Sequence, residues 1–217
     1  FKSFEVPLES DGMNMTILEE LLKNQNIQYI YVMPYLQNPT GICYSHEKKL
    51  QLIALAKKYN LYIIEEDTYS DLLVKDLAYL PIYASCKNNH VIYIKNFSLL
   101  YLPKLLYSFV ILPNPLKNTK TNHLPHNFID SIFYQYLRQG RWKQSQSVLN
   151  NHYKVKYEKL LGLIDAYLAP HVSYTSCWGG IYIWLTIHSP SITVEALCDA
   201  LLTHHVLIIP GTLFYSD

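Results

Sequence analysis

Four short apolar runs, residues 28–33 (QYIYVM), 61–64 (LYII), 91–94 (VIYI) and 107–112 (YSFVIL), constrain this chain more than any other feature. Each has strand length, is rich in β-branched and tyrosine residues, and ends near turn formers or charges. Apolar side chains at consecutive rather than alternate positions call for cover on both faces of a strand. Between the first two runs, Leu50, Ile53, Ala54 and Ala56 recur at helical spacing within residues 47–59. Ser45 stands at the N-cap and Lys57-Lys58 at the C-terminal end, where each suits a helix. Strands alternating with helices read as α/β, a mostly parallel sheet with helices on both faces.

The run at 61–64 is expected to close at the acidic pair Glu65-Glu66, and the run at 107–112 at Pro113 and Pro115. Residues 114–127 form a Pro/Asn/Lys/His loop and the natural boundary. Beyond it the pattern predicts helices over 128–139 and 142–168, a strand over 181–187, a helix over 194–202 and a strand over 206–209 before Pro210-Gly211.

Composition narrows the function. Half the 217 residues are apolar and 16% are charged, which excludes disorder. A net charge of +1 without a long basic block argues against a nucleic-acid surface in this segment. No apolar stretch reaches 18 residues, so no membrane span is expected. Cys43, Cys86, Cys177 and Cys198 are scattered without CxxC pairs, which reads as reduced thiols in a cytoplasmic protein and not as a zinc site. The opening Phe-Lys-Ser-Phe-Glu has neither an initiator Met nor a signal pattern, and is read as the start of a piece of something longer. Arginine occurs only at Arg138 and Arg141, and only 7 residues are glycine, so the usual means of clamping a phosphate are scarce.

The segment Tyr35-Leu36-Gln37-Asn38-Pro39-Thr40-Gly41 resembles the fold-type I, class I/II aminotransferases that use pyridoxal 5'-phosphate. The resemblance continues in order through Ile63-Ile64-Glu65-Glu66-Asp67-Thr68-Tyr69-Ser70-Asp71-Leu72, Val91 to Ser98, Gly179-Gly180 to Leu185, and Val206 to Phe214. The set looks most like the aminotransferase-like effector domain of MocR-type regulators, which is fused to a GntR-type winged helix-turn-helix. It implies that residues 1–115 are part of the major domain, 116–150 a connecting helical region and 151–217 a truncated small domain.

Carried over residue by residue, the resemblance places the cofactor-binding positions at Asn38, Glu66, Tyr69, Asn96 and Ser98. Glu66 stands where the family has the aspartate that pairs with the pyridine nitrogen, and Asn96 where it has a phosphate serine. Leu99 occupies the position of the Schiff-base lysine, and Leu106 that of the phosphate arginine. The family's Pro-Gly pair reads Pro103-Lys104, and its proline before Gly-Gly reads Trp178. No catalytic residue is therefore assigned. Covalent cofactor binding is expected to be absent and non-covalent binding weak or absent, with Lys95 and Lys104 the nearest substitute amines. With leucines at 99 and 106, the cleft floor is expected to be apolar and partly filled.

The acidic run Glu65 to Asp67 is expected to be solvated or to face a helix dipole. His204-His205 are expected at the surface, and no metal site is read. Three functions stay open: a catalytically inactive effector or oligomerisation domain of a GntR/MocR-type transcriptional regulator, a fragment of a working aminotransferase, and a ligand-free remnant. The first implies a homodimer, a small-molecule effector, and DNA contact only through a module outside this chain.

Overall fold

A computed structural model of the chain describes residues 2–73, 79–86, 89–97, 100–101, 107–117, 127–175 and 179–215. It opens with a hairpin, β1 (Leu8–Glu9) against β2 (Gly12–Met13), and then α1 (Met15–Asn24). Asn14 caps α1 by accepting from the Ile17 N–H through its side-chain oxygen. These elements lie outside the apolar pattern read from the sequence.

The predicted core strands and helix follow, β3 (Tyr29–Val32), α2 (His46–Lys58), β4 (Tyr62–Asp67), β5 (Val91–Asn96) and β6 (Ser108–Ile111), with a single-turn α3 (Ile82–Ser85) between β4 and β5 that the sequence pattern does not indicate. Ser45 caps α2 by accepting from the Lys48 N–H at 3.1 Å. The strands lie in the order β3-β4-β5-β6; the first three are parallel, and β6 returns antiparallel against β5.

Register sorts the side chains into two faces, because residues paired across strands point the same way and successive residues alternate. One face carries Ile30, Val32, Ile63 and Val91, packed under Leu18 and Leu22 of α1, Leu52 and Ala56 of α2, and Ile82 of α3. Burying these apolar side chains removes about 1.5–3 kcal/mol of exposure cost for each large one. The other face is left more open. Tyr29 and Tyr31 on β3 and Val110 on β6 are about half exposed, and Glu66, Ile94 and Asn96 are partly buried.

β4 does not stop at the acidic pair; it runs on through Asp67. Glu65 and Asp67 fall on the covered face and find donors there, so the strand continues without stranding a charge. The solvated half of the expectation is corrected at both residues, which are 0% and 1% exposed; the helix-dipole alternative is what the structure shows at Glu65, which accepts from the first N–H groups of α3.

The remaining elements are α4 (Asn127–Arg138), α5 (Arg141–Tyr167), β7 (Val172–Tyr174), β8 (Leu185–Ile187) and α6 (Val194–Thr203). Phe133 of α4 packs on Phe97 and Phe109, with ring centroids 5.1 and 5.5 Å apart, and closes the β6 end of the covered face. The strand expected over 181–187 is shorter, because its partner β7 offers only three residues, Val172–Tyr174. The strand expected over 206–209 is absent. Leu207 there is 82% exposed, and no described strand lies beside it. Much of the loop at 114–127 falls outside the described residues, apart from a 3₁₀ turn at Asn114–Leu116. Among the described residues, no helix is long and apolar enough to cross a membrane.

Candidate functional site

The first candidate site lies at the C-terminal ends of β3, β4 and β5. After β3 the chain turns through Gln37 to Gly41, held by the Gly41 N–H donating to the Gln37 carbonyl and the Gln37 N–H donating to the Ile42 carbonyl at 2.9 Å. Gln37 also donates through its side-chain amide to the Asn38 carbonyl at 2.7 Å and accepts from the Thr40 N–H at 3.0 Å. Gly41 has φ +72°, a left-handed conformation that favours glycine, and the Asn38–Pro39 bond is cis. Asn38 sits in this turn, half-buried.

Glu66 lies on the open face with Ile94, its partner in register, and Asn96 two residues further along β5. Its carboxylate accepts from the Tyr31 hydroxyl at 2.5 Å and from Thr68 Oγ1 at 2.7 Å, one bond to each oxygen. Burial, then the Glu66 carboxylate, push the Tyr31 phenol well above its ordinary range. Tyr69 is 4% exposed and packs with Met33, Tyr35, Leu36, Cys43 and Leu72. Its ring meets Tyr182 edge-on with centroids 5.9 Å apart, and burial together with that neighbouring phenol raises its pKa. Tyr182 lies two residues after Gly180, whose N–H donates to the Leu72 carbonyl at 3.2 Å.

The structure therefore brings Asn38, Glu66, Tyr69 and Asn96 to one end of the sheet. Ser98, Leu99, Pro103, Lys104, Leu106, Cys177 and Trp178 lie outside the described residues. The open face is only partly covered at Glu66 and Asn96.

Lys95 is on the other face. In register with Asp67, it places Nζ 3.2 Å from Asp67 Oδ1, 2.9 Å from Ser70 Oγ and 3.1 Å from Asp71 Oδ2. Asp67 Oδ2 also accepts from the hydroxyls of Tyr93, at 2.7 Å, and Tyr79. Burial alone would raise the Asp67 pKa; the Lys95 charge and the hydrogen bonds from Ser70, Tyr79 and Tyr93 outweigh it and hold the carboxyl below its ordinary value. Burial, and then the Asp67 charge, push both tyrosines up. This buried ion cluster is absent from the sequence reading. Its only signal is strand parity, which puts Glu65 and Asp67 on the face of Tyr93 and Lys95 once β4 and β5 are paired.

Glu65 caps a helix. Its two carboxylate oxygens accept from the N–H groups of Ile82 and Tyr83 at 2.8 Å each, at the start of α3. Burial raises its pKa to about 7 in spite of those bonds. Nearby, the buried Lys49 donates to the Tyr35 hydroxyl at 2.6 Å and lies over its ring, and burial lowers its pKa. Among the described residues, no group of three or more His, Cys, Asp or Glu is placed to hold a metal.

Residues 1–98 match the aminotransferase class I and II family. Aromatic-amino-acid aminotransferase 1 of Thermococcus litoralis is 23% identical over 98% of this chain and 53% of its own length. The uncharacterized HTH-type transcriptional regulator YdfD of Bacillus subtilis is 25% identical over 98% of this chain and 45% of its own. This chain thus spans about half the length of the curated relatives it matches. Among solved structures, the Pyrococcus horikoshii kynurenine aminotransferase superposes with a TM-score of 0.87 at 24% identity, over 98% of this chain and 55% of that one. An archaeal alanine:glyoxylate aminotransferase gives 0.86 at 23%, over 99% and 56%. The strand order with its antiparallel β6, the turn at Asn38 and the match over residues 1–98 agree: the chain carries an aminotransferase class I and II domain, with the fold of the fold-type I pyridoxal-phosphate aminotransferases.

Proposed function

We propose that this chain is the aminotransferase-like effector and oligomerisation domain of a GntR/MocR-type transcriptional regulator, acting in the cytoplasm without catalysing transamination. The observation that carries the reading is the pairing of Leu99, at the lysine position, with Lys95 committed to Asp67, Ser70 and Asp71 on the opposite sheet face. Leucine cannot form an imine. For Lys95 to replace the lysine, it would have to leave two buried carboxylates and cross the plane of the sheet.

The remaining residues fit the family cofactor poorly. Each Glu66 oxygen already accepts from one local hydroxyl, which orients the carboxylate on Tyr31 and Thr68, and the side chain is one methylene longer than the family's aspartate. Leu106 removes the charge that would hold the phosphate, a contact worth about 1.5–3 kcal/mol. Asn38, Glu66, Tyr69, Asn96 and Ser98 are accordingly read as inherited positions with little hold on the cofactor. Similarity to HTH-type regulators along 98% of the chain supports the regulatory half of the proposal, as it does for YisV of Bacillus subtilis at 24% identity.

Two measurements test it. Incubated with pyridoxal phosphate and a panel of amino acids, the purified chain is expected to release no pyridoxamine phosphate above a protein-free control. Steady turnover would return the aminotransferase reading to first place. Beyond the rest of the aminotransferase-like domain, the coding sequence upstream of Phe1 is expected to specify a winged helix-turn-helix; a reading frame that starts with the aminotransferase domain itself would defeat the regulatory reading.

A further inference from the structure

Residues 179–182 lie against both of the turns that carry the inherited positions Asn38 and Tyr69. On the Asn38 side, the Tyr182 carbonyl oxygen stands 3.8 Å from where a side chain on Gly41 would begin, and Leu36 stands 3.6 Å from the same point on Gly180. On the Tyr69 side, Gly179 pairs with Leu73 as an isolated antiparallel bridge, and the Gly180 N–H donates to the Leu72 carbonyl. Gly180 has φ +91°, in the left-handed region that favours glycine. Two residues beyond Tyr182, Trp184 lies against Gly211 and meets Phe214 edge-on with ring centroids 6.1 Å apart, which anchors the far end of the stretch.

The side chain held between these anchors is a phenol. Tyr182 packs against the buried cluster that contains Tyr69, Leu36, Cys43 and Leu72. Its ring stands edge-on to Tyr69, and the two hydroxyls share a hydrogen bond. Burial and then this bond raise the Tyr69 pKa, the sign expected when Tyr69 is the donor. A phenol has one proton to donate, so Tyr69 has none left for a ligand while Tyr182 is in place. The partner is also tethered. A tethered group competes at an effective concentration on the order of millimolar, so a free ring with similar contacts is kept out.

We infer that Tyr182 is a built-in plug of the inherited cleft: its phenol takes the hydroxyl contact of Tyr69, and the site admits a hydroxyaromatic ring of phenol size only when Tyr182 swings away. The turn it would leave is also a seat of α5, since Gln146 donates to Asp71 at 2.8 Å and Asn150 to the Leu73 carbonyl at 3.3 Å. Displacing Tyr182 therefore loosens a turn on which α5 rests, which gives a ligand in the cleft a route to the long helix. The inference takes its location from the reading of this cleft as inherited and non-catalytic. Its test involves neither transcription nor transamination, so either can fail alone.

The probes are p-cresol, which is the tyrosine side chain alone, and toluene, which lacks the hydroxyl. Each is titrated by calorimetry into the 217-residue chain and into its Tyr182→Ala variant. Tyr182→Ala is expected to bind p-cresol one to one and about fivefold more tightly than toluene, the worth of one neutral hydrogen bond. The parent should show no saturable binding over the same concentrations. Adding Tyr69→Phe to Tyr182→Ala should remove the preference for p-cresol. If Tyr182→Ala fails to fold, Tyr182→Phe, which drops only the hydroxyl, decides by hydrogen exchange: the peptide spanning residues 179–185 should exchange several-fold faster than in the parent. A folded Tyr182→Ala that binds no p-cresol, or binds toluene equally well, would overturn the inference. So would parental binding as tight as the variant's, a preference that survives Tyr69→Phe, or unchanged exchange in Tyr182→Phe.

Discussion

Glu65 and Asp67 stand two residues apart on β4 and share a face, yet the fold moves their proton affinities in opposite directions. Burial lifts Glu65 to about 7, whereas Lys95 and three hydrogen-bond donors hold Asp67 down. Between the ordinary glutamate value of 4.5 and about 7, the native state keeps a proton on Glu65 that the unfolded chain has released. The stability this group contributes is therefore fully present below pH 4.5 and is lost as pH rises through 7. A shift of this size corresponds to roughly 3 kcal/mol. Asp67 behaves in the opposite sense: its contribution is present above its ordinary value of 3.8 and is lost on acidification below it, outside the Glu65 window. Urea denaturation from pH 4.5 to 8 should show stability declining across that window in the parent, with the decline much reduced in Glu65→Gln. Lys95→Met should cost about 3–5 kcal/mol, because it leaves two buried carboxylates facing only neutral donors; the same denaturation series at pH 7 measures it.

Among the elements, α2 was the most legible. Its apolar spacing, Ser45 cap and terminal lysines all agree with the helix found, and Ser45→Ala should cost about 1 kcal/mol where Ser45→Gly costs only a few tenths. Comparing urea midpoints of the two variants checks this. The β3, β4 and β5 runs were legible as strands because Tyr, Ile and Val dominate them, and α4 and α5 from their helical spacing. The continuation of β4 was not legible. Nothing local marks Glu65 and Asp67 as buried, since their donors come from α3 and from a neighbouring strand with the register known. The same holds for Lys95, which the sequence offered as a nearby amine and the register turns to the far face. The end of the chain misled for a related reason: Val206 to Ile209 has strand composition, but strand pairing needs a partner, and none stands beside it among the described residues.

For the molecule as a whole, apolar surface remains at both edges of the central sheet. Tyr29 and Tyr31 on β3 and Phe109, Val110 and Ile111 on β6 are all more than a third exposed. Edge strands with such side chains pair with other chains unless covered. The chain is expected to form a homodimer, or to aggregate, and light scattering across a wide concentration range should show a mass at least twice the monomer's. A clean monomer would count against the oligomerisation role. Restoring Lys at 99 and Arg at 106 together should create little cofactor affinity, since Glu66 is still one methylene longer than the family's aspartate and Asn96 still replaces the phosphate serine.

The central claim, a cofactor cleft without an imine-forming lysine, is tested most directly by borohydride trapping. The chain is mixed with pyridoxal phosphate, reduced, digested and mapped by mass spectrometry. The account predicts no stoichiometric adduct, and only scattered labelling of surface lysines. A single stoichiometric adduct at Lys95 or Lys104 would contradict it.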